Sequence, residues 1–285
     1  HLRNRERNQF FRRMEMLKQS TSSFVDLVRE IDGEYRTQRN RGTLFELLVK
    51  TYLKNEPVYA RLFDDVWLLK DVPEEYGIPK VDTGVDLVAR KAKTGELVAI
   101  QAKYYDKNTK IGKAQIDSFL NEVGKKYYAE GLLVTTTDQW TKNADEALKD
   151  RDKPIMRISL SQLKESQINW SRFSFSEPEE VELQEKKTPR PHQIPAIENV
   201  VEGFKNAERG KLIMAPGTGK TFTSMAIAEK MAAQSDGTFK VLYLVPSIQL
   251  LSQTLRAWNA DINYEMDSIA VCSDRKVTKQ SLGTE

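Results

Sequence analysis

Cysteine is almost missing from this chain. Cys272 is the only one, so no disulfide framework can form within the chain. Histidine is nearly as scarce, and with two histidines beside that lone thiol there are too few ligands for a Cys/His zinc site. A chain without disulfides is expected in a reducing, cytoplasmic compartment. No uninterrupted apolar run has the length of a membrane span, so no membrane partner is expected. The basic start, HLRNRERNQF, is not followed by the apolar stretch of a secretory signal. A large charge of one sign is also lacking. The 44 Lys/Arg and 41 Asp/Glu leave a net charge of +3, which alone does not mark a polyanion binder. Locally, Arg3, Arg5, Arg7, Arg12, Arg13 and Lys18 outnumber Glu6 and Glu15, either as a solvated helix face or as a phosphate contact.

What is present is a globular balance, with 39% hydrophobic and 30% charged residues over 285 positions, enough for one large domain or two typical ones. The chain starts without Met and ends at Glu285 inside what reads as an unfinished domain, so a piece of a larger protein is expected. The segment SFSEPEEVELQEKKTP, residues 174–189, combines glutamates and prolines with little periodicity and reads as a linker. The expected organisation is a first domain over 1–170, a linker over 171–189 and part of a second domain over 190–285.

In the first domain the pattern predicts helices over 5–31 and 43–55, the latter with a stripe of Leu44, Leu47, Leu48, Thr51 and Tyr52. Strands are predicted at Val66–Leu69, Val85–Arg90 and Leu97–Lys103, with a turn at 93–96 joining the last two. A helix over 112–127, a strand at Gly131–Thr135, a helix over 141–149 and a strand at Ile155–Ile158 follow. The order is αβββαβ, and the helical crossovers imply parallel pairing late in the sheet. Past the linker, helices over 191–208, 219–233 and 247–259 alternate with short strands at Lys211–Met214, Val241–Val245 and Ser268–Val271. That alternation indicates a doubly wound parallel sheet.

The segment Met214-Ala215-Pro216-Gly217-Thr218-Gly219-Lys220-Thr221 lies between a predicted strand and a predicted helix, as a phosphate-binding loop must. Gly217 and Gly219 let the backbone of the loop, Pro216 and Thr218 included, bend so that its N–H groups (Pro216 has none) face an anion, and the helix N-terminus adds partial positive charge. Lys220 is placed to reach the β- and γ-phosphates of ATP, and Thr221 to hold Mg²⁺. Met214 stands where the strict motif has glycine. Arg190-Pro191-His192-Gln193 upstream resembles the Q-motif of superfamily 2 helicases, which implies that Gln193 reads adenine. Leu244-Val245-Pro246-Ser247 and the following Ile248–Gln253 resemble their motif Ia, which faces nucleic-acid backbone. The three together resemble a RecA-like superfamily 2 motor domain, truncated before its acidic box.

The first domain holds a second constellation. Asp86 opens one strand of the hairpin, and Gln101 and Lys103, two residues apart, share one face at the end of the next. A carboxylate, an amide oxygen and an ammonium at one sheet edge suit phosphodiester hydrolysis. Asp86 and Gln101 would bind Mg²⁺, and Lys103 would stabilise charge or orient water. Asp82 competes with Asp86 for the acidic role; Asp86 is preferred because it directly starts the apolar strand. The D…QxK pattern resembles the Mrr-like branch of the PD-(D/E)xK nucleases. Gly42-Thr43-Leu44-Phe45-Glu46 matches the early helix of that branch, whose glutamate often completes the metal site. Leu132-Leu133-Val134-Thr135-Thr136 with Trp140, Thr141 and Ala144 matches its later strand and helix.

Nuclease, linker and motor in this order resemble the Type ISP restriction-modification enzymes. The resemblance implies double-stranded DNA as partner, and further helicase, methyltransferase and target-recognition regions in a longer chain. S-adenosylmethionine would belong to those regions only, since no loop for it occurs here. Each site of this class cuts one strand, so double-strand cleavage implies a second copy or a second event. Two other readings stay open: a nuclease–helicase defence protein without methyltransferase, and a catalytically silent DNA-binding module attached to a helicase.

Overall fold

A computed structural model describes residues 23–34, 37–81, 84–149, 151–175, 177–235, 239–264 and 266–271. The chain divides into two compact units, His1–Gln184 and Glu185–Glu285, so the break falls inside the acidic, proline-punctuated segment. The early basic run, Asp82, Cys272 and the first part of the helix expected over 5–31 lie outside the described residues.

In the first unit, helices α1 (Phe24–Glu34), α2 (Gln38–Asn55) and α3 (Pro57–Leu62) lead into strand β1 (Phe63–Leu68). Strands β2 (Leu87–Lys91) and β3 (Leu97–Lys103), helix α4 (Asp117–Val123), strand β4 (Glu130–Thr135), helix α5 (Lys142–Ala147), strand β5 (Ile155–Ile158) and helix α6 (Leu160–Lys164) complete it. The strands form one sheet in the order β1-β2-β3-β4-β5. The pairs β1–β2 and β2–β3 are antiparallel; β3–β4 and β4–β5 are parallel, as the helical crossovers require. The β2–β3 hairpin closes through Lys91 N to Glu96 O and Gly95 N to Lys91 O, with Gly95 at φ 72°. Thr37 caps α2 by accepting from Asn40 N, and Thr141 caps α5 by accepting from Ala144 N.

Both faces of the sheet are covered. On the first face Leu87, Val98, Ile100, Leu132 and Val134 pack with Leu44, Phe45 and Leu48 of α2. On the second, Val88, Ala99 and Leu133 pack with Ile111, Ile116 and Phe119. Burial on both sides explains why β3 and β4 read as continuous apolar runs rather than alternating ones. The helix expected over 112–127 is split. A 3-10 turn at Lys113–Gln115 precedes α4, and Gly124 caps the latter. Phe173 and the first part of the acidic segment pack onto this unit: Phe173 and Phe175 enter the first core, Thr51 Oγ1 donates to Pro178 O at 3.0 Å, and Leu183 bridges Ile168.

The second unit contains α7 (Gln193–Gly203), α8 (Lys220–Ala232) and α9 (Ile248–Asp261). Met225 of α8 packs with Trp258 and Ile262. Trp258 Nε1 donates to Thr221 O at 3.2 Å, and Lys187 Nζ pairs with Asp261 at 2.9 Å. The predicted strands at 211–214, 241–245 and 268–271 are not formed among the described residues. These segments form no ladder with one another, and Ile213, Leu242, Leu244 and Val271 are exposed. A parallel strand exists only through its neighbours' hydrogen bonds, so apolar sequence alone does not make one.

Candidate functional site

Gln101 and Lys103 sit at the end of β3, where β2 stops pairing. The β2–β3 register runs from Arg90↔Leu97 to Leu87↔Ile100, and Asp86 lies just before it. Ala102 N, beyond that last pair, donates to Asp86 Oδ2 at 2.8 Å. The carboxylate thus takes the place of a ladder partner and is held beside the backbone between Gln101 and Lys103. Asp86 N donates to Ile100 O and Leu69 N to Asp86 O, both at 2.9 Å, so its backbone is fixed from two sides.

Alternation along β3 turns Gln101 and Lys103 onto the second face, with Leu97 and Ala99. Gln101 is 2% exposed. Its Nε2 donates to Gly84 O at 2.6 Å. Gly84 adopts φ 97°, and a Cβ there would lie 2.8 Å from Ser118 Oγ and 3.2 Å from Gln101 Nε2. Glycine is therefore required both by conformation and by close approach. Gln101 Oε1 is buried and accepts no hydrogen bond among the described residues. Exchanging the amide's O and N would set an oxygen against Gly84 O, so the assigned orientation is the favourable one. A buried acceptor without a donor costs about 1–3 kcal/mol, and packing does not account for it. An electropositive group is what this oxygen lacks. An amide oxygen beside a carboxylate is the hard-oxygen donor set that suits Mg²⁺.

Glu46 is half-buried on α2, one residue after Phe45, whose ring meets that of Tyr104 edge-on at 5.8 Å. Tyr104 directly follows Lys103. The helix packs on the first face, while Gln101 projects onto the second. Asp86 and the Gln101–Lys103 strand end are thus brought together, and Glu46 lies in another layer. Among the described residues no three Asp, Glu, His or Cys side chains cluster. Gly84 and its carbonyl were not singled out from sequence. A glycine just before an apolar strand was the available signal.

In the second unit, Gly217 (φ 77°) and Gly219 (φ 84°) carry the left-handed turns that the loop before α8 needs. Lys220 Nζ donates to Ala215 O at 3.2 Å and Thr218 Oγ1 to the same oxygen at 2.7 Å. Pro216 is exposed, and Thr221 lies in the first turn of α8. Gln193 is buried beneath the loop. Its Nε2 donates to Thr218 O and to Thr223 Oγ1, each at 3.1 Å, and its Oε1 accepts from Arg190 N at 2.9 Å. Here Gln193 braces the loop backbone, a role its resemblance to an adenine reader did not indicate. Ser247, in the segment resembling motif Ia, caps α9 by accepting from Leu250 N.

Comparison with known proteins finds one family match in each part of the chain. Residues 54–180 match a restriction endonuclease family, and residues 186–281 match the family described as Type III restriction enzyme, res subunit. Among solved structures, the ATP-dependent Type ISP restriction-modification enzyme LlaBIII bound to DNA is 53% identical, with a TM-score of 0.72 over 83% of this chain. A nuclease-deletion mutant of the Type ISP enzyme LlaGI, in complex with a DNA substrate mimic, is 56% identical over 32% of this chain, with a TM-score of 0.32. The chain spans 15% of the length of the first and 9% of the second. No curated protein matches the sequence.

Proposed function

We propose that this chain is part of a Type ISP restriction-modification enzyme, that its first unit, which matches a restriction endonuclease family, hydrolyses DNA phosphodiesters with a divalent cation, and that its second binds ATP for a motor on duplex DNA. The observation that carries the nuclease reading is Gln101 Oε1, buried and unmatched at the strand end where Asp86 is held. In this reading Asp86 and Gln101 hold Mg²⁺, and the bound cation supplies Lewis-acid polarisation of the scissile phosphate. Lys103 sets its ammonium beside that phosphate and balances the charge that develops on it. Glu46 completes the site from α2 with a smaller effect.

In the second unit the backbone N–H groups of Gly217 through Lys220, in the loop that Pro216 opens, cradle the phosphates of ATP. Lys220 neutralises the β- and γ-phosphates, Thr221 holds Mg²⁺, and Gln193 keeps the loop in shape. Methylation with S-adenosylmethionine is no part of the chemistry these residues carry. Cutting both strands of a duplex takes two such nuclease sites, hence a second copy or a second event.

The test is nicking of supercoiled plasmid by residues 1–285. Open circles are expected with Mg²⁺, and none with a chelator or with Asp86→Asn. Parental nicking by Asp86→Asn would move the chemistry elsewhere. Binding of DNA without nicking in any divalent ion would make the unit a silent docking module.

A further inference from the structure

The segment between Lys103 and α4 carries three lysines that the nuclease chemistry does not use. It forms a strap along the loop that leaves β4, held at every second residue. Thr136 Oγ1 donates to Tyr105 O at 2.6 Å and accepts from Tyr105 N at 2.7 Å. Thr137 Oγ1 reaches Lys107 O at 3.0 Å and Thr109 O at 2.9 Å. Ile111 N donates to Gln139 O, and Thr141 N to Ile111 O, both at 2.9 Å. Thr135, Thr136 and Thr137 are all buried, and the Ile111 side chain plugs the second core. Asp106 is turned to local use: its Oδ1 accepts from Asn108 N at 2.9 Å.

Fixing the backbone this way leaves Lys107, Lys110 and Lys113 exposed. Among the described residues none of the three forms an ion pair. Some lysines elsewhere in the unit are matched, Lys91 by Glu130, Lys125 by Glu122 and Lys149 by Glu146, while others, Lys70 and Lys142 among them, form no ion pair among the described residues either. The strap and the turn after it cover the second face of the sheet, the face onto which Gln101 and Lys103 project. Unmatched ammonium groups on a hydrogen-bonded backbone, beside the strand end that carries Gln101 and Lys103, are what a sequence-independent phosphate contact requires.

We propose that Lys107, Lys110 and Lys113 form a phosphate-contacting edge that seats the backbone of duplex DNA beside Lys103. The proposal rests on the nuclease reading for its placement but concerns binding, so the two can fail separately. The experiment measures duplex DNA binding by residues 1–285 against salt concentration, with Asp86→Asn in every protein to prevent cutting. Each lost phosphate contact removes about 0.9 from the slope of log K against log salt. The combined change Lys107→Gln, Lys110→Gln, Lys113→Gln is therefore expected to make the slope shallower by roughly 2–3. Replacing the same three by arginine should restore it. Lys54→Gln, Lys93→Gln, Lys164→Gln removes equal charge away from the strap, with Lys93 in the turn at the far end of the hairpin, and should leave the slope unchanged. An unchanged slope in the strap variant, or an equal fall in the control, would overturn the proposal. Cutting by Asp86→Asn would sink the nuclease assignment and leave the strap result standing.

Discussion

Gln101 separates a ligand from a packing residue more sharply than any other side chain. Its amide is enclosed, one end is bonded to Gly84 O, and the other has no donor. Leucine would remove the unmatched acceptor, worth about 1–3 kcal/mol, but also the donor to Gly84 O, and the two changes oppose one another. Gln101→Leu is therefore expected to move the thermal midpoint little while cutting metal-dependent cleavage by at least about 100-fold. Cleavage near the parental rate would show that the amide oxygen binds nothing in the reaction. The meeting of Asp86 with the Gln101–Lys103 strand end was legible in the sequence because alternation and hairpin arithmetic constrain it. Their restraints were not. Ala102 N on Asp86 and Gly84 O on Gln101 are backbone groups, which every residue has, so no residue type announces them.

At the scale of elements, β4 tests how tightly the parallel half of the sheet is built. A Cβ on Gly131 would lie 2.7 Å from Ile155 Cδ1, 2.9 Å from Val123 Cγ2 and 3.0 Å from Phe119 Cζ. Gly131→Ala should thus destabilise the first unit by about 1–3 kcal/mol, read as a lower denaturant midpoint. An unchanged midpoint would mean that α4 and β5 shift without cost. A second element-scale test concerns Glu56 at the α2–α3 junction. Its Oε2 accepts from Ser166 Oγ at 2.8 Å and Gln167 N at 2.9 Å, tying the junction to the turn after α6. Burial raises its pKa above the ordinary 4.5, and the two hydrogen bonds only partly offset this. The folded protein then holds this proton more tightly than the unfolded chain. The stability it confers is full below 4.5 and is lost as pH rises through the folded value. Glu56→Gln should flatten that decline in unfolding free energy above 4.5, and an unaltered pH profile would assign the slope to other groups. Of the elements, αβββαβ was readable because each strand is bounded by turn residues and has neighbours within the unit. The strands expected near 211–214, 241–245 and 268–271 had the same apolar signal without ladders to join, so pattern and structure part company there.

For the whole molecule, the break between Gln184 and Glu185 divides the chain into two compact units, one for each proposed chemistry. Damage to one site should then leave the other's chemistry intact. In the full-length enzyme, Lys220→Ala removes the ammonium expected on the β- and γ-phosphates and should stop ATP hydrolysis, translocation and any cleavage that depends on it. Phosphate release in the presence of DNA reads that loss directly, and hydrolysis surviving in Lys220→Ala would remove this loop from the motor. The opposite change gives the most direct single test of the account: triplex displacement measured beside plasmid cleavage on Lys103→Ala. Triplex displacement at the parental rate with no cleaved plasmid is the expected result. Loss of displacement, or cleavage that persists, would contradict a nuclease centred on Lys103 and separate from the motor.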